Sequence, residues 1–147
     1  MNQDFVELLR AFIAADVRFL IVGAYALALH GRPRATGDLD VWVDASPENA
    51  RHVMTALAAF GAPMGDISEA DFARPGVVYQ IGVAPGRIDL LTDLTGVTFD
   101  EAWSDRMRHS FGDVEVDFIG RSSLVRNKRA TGRPKDLIDI EGLDTSR

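Results

Sequence analysis

Three aspartates are the residues in this chain best suited to do chemistry. Asp38 and Asp40 stand two apart in Asp38-Leu-Asp-Val-Trp-Val-Asp44. Leu39, Val41 and Val43 alternate there with Asp38, Asp40, Trp42 and Asp44, which is the period of a β-strand. Alternate strand residues lie about 6.6 Å apart on one face, so two carboxylates can converge on a common ion. A solvated strand face can carry the same letters, and the pair alone does not separate the two readings. Asp89 is a lone acid inside the apolar run Arg87-Ile-Asp-Leu-Leu91. A buried carboxylate needs a metal or a charged partner. Asp89 therefore either completes a three-carboxylate site or pairs with a nearby arginine.

The elements around the aspartates favour a common site. Phe19-Leu-Ile-Val22 reads as a short strand stopped by Gly23. Ala24 to His30 reads as a short helix ended by Gly31 and Pro33, and Gly31-Arg-Pro-Arg-Ala-Thr-Gly37 as a tight loop. This order returns the Asp38–Asp40 strand to Gly23 and to the start of the 24–30 helix. Backbone N–H groups at such a helix start can receive phosphate.

The remaining pattern supplies a scaffold. Phe5, Leu8, Leu9, Phe12 and Ile13 share one face of a helix over 5–15. Ser46-Pro47-Glu48 has the form of an N-cap with proline at the first helical position, opening a helix to Phe60 before Gly61. Residues 61–76, with three glycines and two prolines, read as a loop. Val77–Val83 and Arg87–Leu91 read as strands joined by 84–86. A second pair, Met107–Phe111 and Val114–Ile119, turns at Gly112-Asp113. Ser122–Arg129 and Pro134–Leu143 read as helices. The expectation is an α/β (α+β) fold in one domain over 1–147. It has a central mixed sheet flanked by helices, and helices at about 121–143 pack on or beside the core.

Composition narrows the function classes. A chain of 147 residues, 46% hydrophobic and 26% charged, is that of an ordinary globular domain. The absence of cysteine excludes a disulfide scaffold, a thiolate zinc site, an iron–sulfur cluster and a cysteine nucleophile. A net charge of −6 argues against binding nucleic acid over the whole surface. No apolar run approaches a membrane span and the first residues do not resemble a signal peptide, so a cytoplasmic location with no membrane partner is the default expectation.

The block Val22-Gly-Ala-Tyr-Ala-Leu-Ala-Leu-His-Gly-Arg-Pro-Arg-Ala-Thr-Gly-Asp-Leu-Asp-Val41 resembles the motif block of the nucleotidyltransferase superfamily, whose fold is DNA polymerase beta-like. Small bacterial proteins of the AbiEii toxin type share a glycine pair after the first strand, then H-G-x-x-R-x-T-x-D-[LI]-D. Arg87-Ile-Asp-Leu-Leu91, Phe99-Asp-Glu-Ala-Trp103 and Asn127-Lys-Arg-Ala-Thr-Gly-Arg-Pro-Lys-Asp-Leu-Ile-Asp139 extend the likeness over roughly residues 5–143.

The resemblance implies that Asp38, Asp40 and Asp89 are catalytic and hold Mg²⁺ or Mn²⁺. A nucleoside triphosphate would be the donor, its α-phosphorus attacked by an acceptor hydroxyl while pyrophosphate leaves. Two ions about 3.5–4 Å apart can clamp the attacking and leaving oxygens of such a displacement, and Asp89 could accept the hydroxyl proton. Gly23 and Ala24 fall in the phosphate-cradling turn. Arg34, Thr36 and Lys128 fall at nucleotide-binding positions, and Lys135 and Asp136 at acceptor or phosphate contacts. At Ala24 the pattern departs: relatives carry glycine or serine, and losing a serine hydroxyl forgoes about 1.5–3 kcal/mol of charge-assisted hydrogen bonding. The backbone N–H remains.

Residues 121–135 hold six basic side chains and no acid, leaving the rest of the chain at twice the overall net charge. Such polarity suits a triphosphate or an RNA backbone, or a solvated helix that offsets the acidic body. His30 reads as a capping or packing residue. Trp42 could stack on a nucleobase or cover the sheet, and Trp103 anchors a helix. The leading expectation is a Mg²⁺-dependent nucleotidyltransferase. Its acceptor would be tRNA or other RNA, a protein or a small molecule, presented with the help of a homodimer or cognate partner protein. Two alternatives stand beside it: a catalytically silent nucleotidyltransferase-like binding module, as in a toxin–antitoxin pair, and, more remotely, a metal-dependent nuclease.

Overall fold

The computed structural model describes residues 2–31, 37–83 and 85–144. Arg34 and Thr36, with the rest of 32–36, lie outside the described residues. Asn2 caps α1 (Gln3–Ala14) by accepting from the N–H groups of Asp4 and Phe5 at 2.9 and 3.3 Å. The apolar stripe seen in the sequence buries Phe5, Leu8, Leu9 and Phe12 against the core. Then follow β1 (Phe19–Val22), α2 (Gly23–Leu29), β2 (Leu39–Val43) and α3 (Pro47–Phe60). Ser46 caps α3 by accepting from Asn49 N–H at 3.1 Å, and Gly61 ends it in the left-handed region at φ 90°.

The expected loop over 61–76 contains one short helix, α4 (Glu69–Phe72). Its cause is a capping box: the Asp71 carboxylate accepts from the Ser68 N–H at 2.9 Å and from Ser68 Oγ at 3.1 Å. This Ser-x-x-Asp signal delivers Phe72 to the core, where it is fully buried. Next come β3 (Val78–Ile81), β4 (Ile88–Leu91), α5 (Phe99–Ser104), β5 (Met107–Phe111), β6 (Val114–Phe118), α6 (Arg121–Thr131) and α7 (Pro134–Asp144).

The strands form a six-stranded mixed sheet in the order β3-β4-β2-β1-β6-β5, flanked by helices. β1 pairs antiparallel with β2 and parallel with β6, while β2 pairs parallel with β4. The hairpins β3–β4 and β5–β6 close the two edges. Leu124 and Val125 of α6 and Ile140 and Leu143 of α7 belong to the same buried cluster as the sheet.

Packing fixes the face on which the acids stand. Leu39, Val41 and Val43 of β2 are fully buried, each worth about 1.5–3 kcal/mol relative to exposure. A one-residue slip would turn these three outward and drive Asp40 into the core, so the register is strongly specified. Trp42 shares the aspartates' face but covers the sheet: it is 1% exposed and meets Phe99 edge-on at 5.1 Å. The Thr98–Glu101 capping box that opens α5 sets Phe99 in that place. No described helix is long and apolar enough to cross a membrane.

Candidate active site

The sheet register gathers the aspartates. Val22 stands opposite Asp40 across the β1–β2 ladder, and Asp40 opposite Asp89 across β2–β4. Adjacent strands are about 4.8 Å apart, so the end of β1, Asp40 and Asp89 form one row across three strands. Asp38 precedes β2 by one residue. Gly23, directly after β1, adopts φ 69°, and a Cβ there would collide with the Asp40 carboxylate. Only glycine lets the β1–α2 turn pass beneath that carboxylate.

An arginine lies among the three acids. Arg87 donates from Nε to Asp89 Oδ1 at 2.8 Å and from Nη2 to Asp89 Oδ2 at 3.2 Å. The same Nη2 is 3.4 Å from Asp38 Oδ2, and the Arg87 backbone N–H donates to Asp38 Oδ1 at 3.0 Å. Asp89, 8% exposed, thus has the arginine partner that its apolar surroundings demand. Asp40 has no comparable relief. Burial first, then the negative charge of Asp89, a hydrogen bond shared with Asp89 and the charge of Asp38 push its carboxyl up to about 6, against a smaller opposing pull from Arg87.

Three carboxylates around one positive charge are the hard oxygen donors that a divalent cation takes, and the guanidinium stands where such a cation would be attracted. The donor chemistry fits a metal. The present arrangement is not yet a ligand cage: among the described residues, no three His, Cys, Asp or Glu side chains are grouped so as to hold an ion.

A cleft of about 390 Å³ is lined by Asp38 and Asp40, by Gly23, Ala24 and Gly37, and by the cations Lys128, Arg133 and Lys135. These cations come from α6 and the start of α7. Lys128 is buried with its Nζ 3.2 Å from Asp136 Oδ1 and 3.5 Å from Asp139 Oδ2. Asp136, fully buried, also accepts from Thr131 Oγ1 at 2.6 Å and Arg133 Nε at 2.7 Å. Burial pushes its carboxyl up, but the hydrogen bonds from Arg133, Thr131 and Lys128 outweigh burial and hold it well below the ordinary carboxylate range. Asp136 therefore fixes two of the three cations that line the cleft.

The side chains of the basic segment have several different partners. Arg121 donates to the Leu143 and His30 carbonyls, and Arg126 pairs with Glu101 at 3.2 Å. His30 is buried, with Nε2 2.7 Å from the Ile119 carbonyl. Trp103 stacks on Phe99 and lies under the Arg106 guanidinium at 4.0 Å. Two residues of the site were not singled out from the sequence: Arg87, foreseen only as a nearby arginine for Asp89, and Arg133, counted only within the basic run over 121–135. Arg87 carries a strand signal, standing two residues before Asp89 and so on its face. Arg133 stands three residues before Asp136 at the opening of α7.

Two crystal structures resemble the whole chain. One is a lincosamide antibiotic adenylyltransferase with lincomycin bound, at 14% identity and TM-score 0.58, covering 100% of this chain and 98% of that one. The fold is the nucleotidyltransferase fold. A candidate nucleotidyltransferase from Thermotoga maritima agrees, at 12% identity and TM-score 0.58 over 99% of this chain and 94% of that one. No family model and no curated protein matches the sequence. Within the nucleotidyltransferase fold, the Gly23 turn, the Asp38–Asp40 strand and Asp89 lie on three adjacent strands at one end of the sheet.

Proposed function

We propose that residues 1–147 act as one domain, a Mg²⁺-dependent nucleotidyltransferase that passes a nucleoside monophosphate from a triphosphate to an acceptor hydroxyl. The observation that carries this reading is that Asp38 and Asp40 line one cleft together with Lys128, Arg133 and Lys135. A triphosphate needs cations for its oxygens, and the divalent ion that accompanies it would need carboxylates to hold it; the cleft lining carries both kinds of side chain.

Asp38 and Asp40, with Asp89, would hold the ion, which when bound neutralises charge developing on the transferring phosphate. Arg133 and Lys135 receive the β- and γ-phosphates, and Lys128, clamped by Asp136 and Asp139, gives a fixed positive charge at the cleft wall. The acceptor oxygen bonds to the α-phosphorus, the bond from that phosphorus to the α,β-bridging oxygen breaks, and pyrophosphate departs. The hydroxyl proton passes to the Asp89 carboxylate, which stands beside Asp40 across the β2–β4 ladder.

The Arg87 contacts to two of the three acids favour a second reading, a silent module that binds nucleotide or a partner protein without turnover. An α-labelled triphosphate offered with Mg²⁺ and a panel of acceptors separates the two. The panel comprises hydroxyl-bearing small molecules including a lincosamide, tRNA, and protein. Label transfer that disappears in Asp38→Ala/Asp40→Ala supports the transferase. Triphosphate binding without transfer to any acceptor supports the silent module.

A further inference from the structure

We propose that the Arg87 side chain is a resident counter-cation that holds the ground between Asp38 and Asp89 and must swing away for a divalent metal to enter. The inference rests on the metal reading of this same site. Three observations carry it. The guanidinium fork engages both oxygens of Asp89 and reaches one of Asp38, so it occupies the space between the two carboxylates that a metal bound to both would take. With the fork in place, no three-acid group among the described residues can hold an ion. The side chain is also 31% exposed, so the guanidinium has a route to water.

The backbone makes this exchange economical. Asp38 is tied to the Arg87 main-chain N–H at 3.0 Å, independently of the side chain. Asp89 is held by its ladder position between β2 and β3. When the guanidinium leaves, the Asp38 carboxylate keeps its backbone anchor and the Asp89 main chain keeps its place in the sheet, while the Asp89 oxygens are released. Charge follows the same logic: three acids are served by one monovalent cation in the closed arrangement, and a divalent ion replaces it with a stronger one. Arg87 thus sets a threshold on metal affinity, and the site is loaded only where metal, or metal with triphosphate, outcompetes the fork.

The test is Mn²⁺ titration of the full chain, reading free Mn²⁺ by electron paramagnetic resonance, on wild type, R87Q and R87K. R87Q removes the competitor and should bind Mn²⁺ about tenfold tighter or more; tenfold corresponds to about 1.4 kcal/mol, close to the low end for one charge-assisted hydrogen bond. R87K keeps a charge but loses the planar fork, so a gain of roughly two- to fivefold is expected. Equal or weaker Mn²⁺ binding by R87Q overturns the proposal and makes Arg87 a positioning residue for Asp89. Should R87Q fail to fold, R87K decides, and equal or weaker binding there has the same force. If wild type and folded R87Q both bind no Mn²⁺, the metal reading itself fails and takes this inference with it.

Discussion

Replacing Asp40 with asparagine should make the metal-free protein more stable at alkaline pH and leave it nearly unchanged in acid. The Asp40 carboxyl titrates at about 6 in the folded chain against 3.8 for the free group, chiefly because it is buried beside Asp89 and Asp38. A raised folded pKa means that the folded state holds the proton more tightly than the unfolded state. The associated stability is fully present below 3.8 and is lost as pH rises through about 6. At about 1.4 kcal/mol per pH unit, the interval amounts to ~3 kcal/mol at most. Partial exposure and solvent screening reduce it, so about 1–3 kcal/mol is expected at pH 8. Asparagine removes the charge while its amide can still donate to Asp89. Urea denaturation of wild type and Asp40→Asn in a chelator should therefore show this gain at pH 8 and about half of it at pH 5. A variant no more stable than wild type at pH 8, or a gain independent of pH, would refute the reasoning.

Three further substitutions probe the parts separately. Gly23→Ala must adopt φ 69° and push its methyl into the Asp40 carboxylate; urea unfolding should show a loss of about 2 kcal/mol or more, with triphosphate binding weakened as Asp40 moves. Lys128→Ala takes one charged partner from each of the buried Asp136 and Asp139, while Thr131 and Arg133 still serve Asp136, and should cost about 1.5–3 kcal/mol in the same assay. Arg133→Ala removes a side chain that is 65% exposed. It should cost about 1–3 kcal/mol in stability, because the buried Asp136 loses a charged partner, and lower Mg²⁺-triphosphate affinity roughly tenfold by calorimetry.

Much of this arrangement was legible in the residues. Strict alternation over 38–44 identified the central strand because burying Leu39, Val41 and Val43 leaves no other register. Gly23 after an apolar run marked the turn that must pass close to it. The lone acid at Asp89 announced a partner by its surroundings, and the partner is Arg87, two residues away on the same strand face. What sequence spacing could not supply is the pairing of distant segments. Nothing local says that β4 lies beside β2, or that α6 and α7 bring Lys128, Arg133 and Lys135 into one cleft with Asp38. A charge count over 121–135 does not say which of its basic side chains reach the cleft, because it ignores helical rotation. Arg121 and Arg126 point to other partners, and Asp136, read as a contact residue, is buried as the anchor of the lysine. The short helix at Glu69–Phe72 was hidden by its glycine- and proline-rich flanks, although Ser68 and Asp71 carried its capping signal.

The most direct measurement is calorimetric titration of the full chain with each of the four nucleoside triphosphates, with and without Mg²⁺, on wild type and on Asp38→Ala/Asp40→Ala. At least one triphosphate should bind wild type in a Mg²⁺-dependent manner, with affinity falling tenfold or more in the double variant, equivalent to about 1.4 kcal/mol. Binding by no triphosphate, or equal binding with and without the two aspartates, would contradict a metal–nucleotide site at this cleft.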